Sequence, residues 1–85
     1  MTADEQSLAT AARLYEARRT ARDIRGVQYA ADMVVFKKAI RDFAKQNNLD
    51  LLPATLELGK RAQAKDGELL FMLFMAAFVE LTEEV

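Results

Sequence analysis

LLFMLFMAAFV, residues 69–79, is an unbroken run of eleven apolar side chains, followed by Glu80 and Leu81. At about 1.5 Å per residue a helix of that length covers roughly 16 Å, about half of a bilayer's hydrocarbon core, so the run is too short to span a membrane. Leu, Phe, Met and Ala precede its single β-branched residue, Val79, which favours helix over buried strand. A helix that is apolar on nearly every side has to be buried. The sequence therefore predicts a small all-α bundle of four helices in which the last, near 67–83, is central.

Working back from that run, Asp66-Gly67 marks its start. The stretch from Asn47-Asn48 to Pro53 separates two earlier helices, near 27–47 and 53–65. Gly26 interrupts a first helical run, near 4–25. The second helix is the clearest amphipathic segment: Tyr29, Met33, Phe36, Ile40 and Phe43 recur at 4-3-4-3 spacing, within an arc of about 80°. Lys37, Lys38, Arg41 and Lys45 take its opposite side. In the first helix Leu14, Ala17, Ala21 and Ile24 form an apolar face, small enough to admit a close neighbour. A second stripe, Leu8, Ala11, Ala12 and Tyr15, is rotated away from it, so the N-terminal turns pack elsewhere or fray. The third helix directs Leu52, Leu56 and Ala62 inward, with Pro53 at its first position and Gly59 as a weak point that keeps it short.

The 85 residues make one small domain, which buries only about 60% of its unfolded surface and is marginal without reinforcement. The absence of Cys removes disulfides and thiolate zinc sites, and the absence of His removes the commonest metal ligand and general base. No nucleophile stands beside a base, and there is no glycine-rich phosphate loop or EF-hand spacing. The expectation is a protein without catalytic activity, cofactor or metal. The first residues lack an uninterrupted apolar segment of the secretory kind, which points to the cytoplasm.

Reinforcement by a second chain follows from the last helix. At about 100° per residue, Leu70, Phe71, Phe74, Phe78 and Leu81 gather on one side, assigned to the core. Met72, Met75 and Val79 gather beside it, and a strip through Ala76, Glu80 and Glu83 faces water. Three other helices, one of them short, cover one side more readily than two. Met72, Met75 and Val79 are therefore the expected partner or homodimer interface.

Net charge is −1, but residues 1–45 carry nine basic and six acidic groups while residues 46–85 carry three and seven. Arg18, Arg22 and Arg25 share a face with Arg19 beside it, and Lys37, Arg41 and Lys45 form a second stripe. These seven are a candidate macromolecule-binding surface. Contacts from four or five of them to phosphates would give a log K against log salt slope of about −4. A pI of 5.4 and the neighbouring Glu16, Asp23, Asp32 and Asp42 favour ordinary solvated faces instead. Asp32 is expected to pair with Arg22 or Arg25 across the Gly26 corner. A helix-turn-helix over 44–62 fits poorly, because Pro53 and Gly59 fall in its second helix and that helix lacks base-reading side chains at its start. The expected function is a small protein–protein interaction or regulatory module, homodimeric through its last helix, with a further protein partner and no membrane association. The alternative is a DNA-binding regulator using the basic faces of the first two helices.

Overall fold

The computed structural model describes residues 3–84, and the side chains of residues 9–84. Four helices follow one another: α1 (Ala3–Arg25), α2 (Gln28–Asn47), α3 (Leu51–Asp66) and α4 (Glu68–Glu83). There is no strand among the described residues. No helix among them is long and apolar enough to cross a membrane.

The breaks fall where residues tolerant of left-handed backbone occur. Gly26 stops α1 at φ 53°, its N–H bonded back to the Arg22 carbonyl at 2.9 Å, and its own carbonyl receives the Tyr29 N–H at 3.1 Å. Asn48 does the same for α2 at φ 52°, and the Leu49 N–H closes on the Ala44 carbonyl at 2.9 Å. α3 begins two residues earlier than the sequence predicts, with Pro53 as its third residue. A helix leaves its first N–H groups without intrahelical partners, so a residue lacking one costs nothing there.

α1, α2 and α3 all pack on α4, which is the central helix. Cover comes from three sides because the approaching surfaces are small. Ala17 and Ala21 bring α1 in, and Ala54 and Gly59 bring α3 in, all of them buried. At Gly59 the backbone lies so near Phe71 and Met75 that an added Cβ would sit 3.0 Å from the Phe71 ring and 3.1 Å from the Met75 methyl. The glycine that made α3 look short is thus its point of closest approach to α4, and α3 runs to sixteen residues. Thr55, fully buried beside it, donates its hydroxyl to the Leu51 carbonyl at 2.7 Å. From α2, Met33 and Ile40 are buried, Tyr29, Phe36 and Phe43 pack against the core, and Phe36 meets Phe74 edge to face at 4.6 Å.

The faces of α4 differ from the expected division. Leu73, Met75, Ala76, Ala77 and Val79 are buried along with Phe74 and Leu81, whereas Leu70, Phe71 and Phe78 are half-buried. Ala76, expected to meet water, is fully enclosed, and only the Glu80 and Glu83 end of that strip reaches the surface. In α1 the inward face holds at Leu14, Ala17 and Ala21 but not at Ile24, which is 58% exposed one turn before the chain reverses. Ala12 and Tyr15 of the second stripe are exposed; the side chain of Leu8 lies outside the described residues.

Candidate functional site

α1 and α3 each lie against α4 but do not meet, so a groove runs between them with α4 as its floor. Phe71, Met72 and Met75 form the floor, Leu14 and Ala17 one wall, and Leu52 and Leu56 the other. Thr10, Arg13, Glu16 and Glu68 stand at its mouth, all exposed. The groove encloses about 430 Å³, within the range of roughly 300–1,000 Å³ typical of ligand sites. Its α1 wall extends from Thr10 to Thr20, about 15 Å or three helical turns. The charged groups are confined to the mouth, so what the groove can do is take apolar surface out of water.

Of the three residues assigned to a partner, the structure brings Met72 and Met75 together on this floor. Val79 lies one turn further along α4, outside the groove and 4% exposed. Met75 is also 4% exposed, so a partner would reach it only through the groove. Small residues on α1 and α3, Ala17, Ala21, Ala54 and Gly59, let the covering helices come close enough to enclose Met75 and Val79 within the single chain.

The seven candidate basic residues do not form one free surface. Arg18 pairs with Glu83, and Arg25 Nε donates to Asp32 Oδ2 at 2.7 Å, the pairing expected across the Gly26 corner. Lys37 reaches Glu84 at 2.5 Å and Glu80 at 3.7 Å, and Arg41 approaches Glu84 at 4.0 Å. Thus four of the seven are tied to carboxylates, three of them to the acidic end of α4. The polarity seen along the sequence, basic early and acidic late, is partly neutralised by these ion pairs between α1 or α2 and the end of α4. Arg19, Arg22 and Lys45 are exposed. The hydrogen bond from Arg25 holds the Asp32 carboxyl below its usual range, and Lys38 and Lys37 do the same for Asp42 and Glu84.

Where α1, α2 and α4 meet, Arg18 Nε, the Tyr29 hydroxyl and Glu80 Oε2 are buried, with the phenol close enough to feel both charged groups. Burial, and then the Glu80 carboxylate, push the Tyr29 phenol up to about 12, with Arg18 opposing. Among the described residues no three carboxylates converge as a metal site requires.

One surface escaped the sequence reading. Val27, just before α2, and Val34 and Val35 on its outer side are 101%, 66% and 63% exposed, with Ala30 and Ala31 exposed between them. The signal was present at 27, 31 and 34, an i, i+4, i+7 set, but the inward set at 29, 33, 36 and 40 is so regular that it drew the whole reading. Comparison with protein-family models, curated proteins and solved structures finds no match to this chain.

Proposed function

We propose that this protein is an interaction module that seats an amphipathic helix of a partner protein in the groove between α1 and α3. The observation that carries this reading is the groove itself: two helices that do not meet, above a floor of Phe71, Met72 and Met75. Helix-in-groove recognition uses apolar anchors at i, i+3 or i+4, and i+7, which span two to three turns. The α1 wall is about that long. Methionine suits such a floor, because its unbranched, polarisable side chain repacks around different anchors. The mouth carries both signs of charge, Arg13 against Glu16 and Glu68, so specificity would come from anchor spacing more than from net charge.

The test is to select binders from a displayed library of helical 14-mers and to follow methionine methyl NMR signals of the protein as each is added. Binding in the groove shifts the Met72 and Met75 methyls, leaves Met33 in place, and is lost in Leu56→Glu. If the strongest binders leave Met72 and Met75 unmoved, the groove is not the recognition site.

A further inference from the structure

We infer that the outer face of α2 is a self-association surface that pairs with the same face of a second copy of this chain, antiparallel, about a two-fold axis at Ala31. The surface is separate from the groove and does not depend on it. Between Arg25 and Lys37 the sequence holds one full charge, Asp32, and that is neutralised by Arg25 on the flank of the helix. The first half of α2 therefore has apolar residues on both sides: Tyr29, Met33 and Phe36 toward the core, and Ala30, Ala31, Val34 and Val35 toward solvent, continued by Val27 just before the helix, with the exposed Gln28, hydrogen-bonded to Asp32, beside them.

Area and pattern identify the occupant. Val27, Val34 and Val35, with the exposed Ala30 and Ala31 between them, present on the order of 450 Å² of accessible surface, within the roughly 300–600 Å² of the largest patches that monomeric proteins carry. Two such patches face to face remove at most about 900 Å², which places the pair at the weak, transient end of specific interfaces. An isologous interface needs residue i to meet j while j meets i. Val27, Ala31 and Val35 meet that condition, since the valines stand four residues either side of Ala31 along one ridge of the helix. In the antiparallel pair each Val27 lies beside the partner's Val35, and the two small Ala31 side chains let the axes come close. The ends are also compatible. Lys38 and Asp42, paired at 2.6 Å, border one end of the patch, and in the sequence Arg22 and Asp23 precede the other. Antiparallel pairing sets one mixed-charge end against the other, whereas a parallel pair would bring the two Lys38 side by side.

Sedimentation equilibrium of the whole chain from about 5 to 500 µM reads the association, in the range expected of an interface this small. The mass should climb from 9.6 kDa toward twice that value, and Val34→Lys should hold it at the monomer value with an unchanged helical spectrum. The chain has no cysteine, so Ala31→Cys introduces a single thiol at the axis. Mild oxidation should link Ala31→Cys chains at least about tenfold faster than Lys45→Cys chains, because only the former hold their Cα atoms within about 7 Å of each other. A wild-type chain that stays monomeric at 500 µM overturns the inference. So does a dimer that survives Val34→Lys, or one in which Ala31→Cys links no faster than Lys45→Cys, since the contact would then lie elsewhere.

Discussion

Replacing Gly59 probes how closely α3 rides on α4, and two substitutions there should behave differently. Gly59→Ala gains about 0.8–1.0 kcal/mol of helix propensity in the middle of α3. Against this, its Cβ would stand 3.0 Å from Phe71 Cδ2, 3.1 Å from Met75 Cε and 3.3 Å from Phe71 Cε2. Inserting a methyl into packed surroundings costs about 1–3 kcal/mol. The atoms in the way are a flexible terminal methyl and the edge of a half-buried ring, and both residues border the open groove. They can yield by a few tenths of an ångström into empty space, so the cost lies near the lower end and the terms nearly cancel. We expect Gly59→Ala to lie within about 1 kcal/mol of the native chain, a Tm shift of no more than about 8 °C. Gly59→Val adds two further methyls at the same place and forfeits most of the helix gain, for a net loss of about 2–3 kcal/mol. Urea unfolding followed by circular dichroism measures both. If Gly59→Val falls within about 1 kcal/mol of Gly59→Ala, the close approach described for α3 and α4 is wrong.

Three other outcomes follow from the packing and the ion pairs. The Tyr29 phenol titrates near 12, above its unfolded value of about 10. The stability that shift supplies is complete below pH 10 and is lost as pH rises through 12. Tyr29→Phe should flatten this alkaline loss in thermal melts and cost no more than about 1 kcal/mol at neutral pH, the usual net worth of one hydroxyl contact. The Asp32 carboxyl is lowered by Arg25, so its contribution is present above about pH 4 and lost as pH falls through the lowered value. Asp32→Asn should reduce stability by less than about 1 kcal/mol at pH 7 and shrink the acid-side slope, as chemical denaturation at several pH values would show. Ile40 is fully buried in the core, and Ile40→Ala should cost about 2–5 kcal/mol by urea unfolding; a loss below 1 kcal/mol would mean the site collapses around the cavity.

Much of the architecture was legible along the chain, because the signals were local. Eleven apolar residues at 69–79, the 4-3-4-3 spacing of 29–43, and left-handed backbone at Gly26, Asn48 and Gly67 set the number, order and rough limits of the helices. Each is a property of neighbours within a turn or two. The pairing of Arg25 with Asp32 was legible for the same reason, being seven residues apart across one corner.

Which face of each helix meets which neighbour is a different kind of information. Met72, Met75 and Val79 look alike on a helical projection, yet Val79 is enclosed, Met75 is reachable only through a groove, and Met72 is half-exposed. That difference arises from how near Ala17, Ala21, Ala54 and Gly59 let α1 and α3 come to α4, and from α1 and α3 stopping short of each other. Likewise the basic stripes could be counted in the sequence, but not their pairing with Glu80, Glu83 and Glu84, dozens of residues away. The sequence by itself determined that four helices form and that the last is buried, since hydrophobic patterning and turn chemistry act locally. The tertiary structure alone decided what remains open to a partner, because a groove and an uncovered face are defined by the distances between helices.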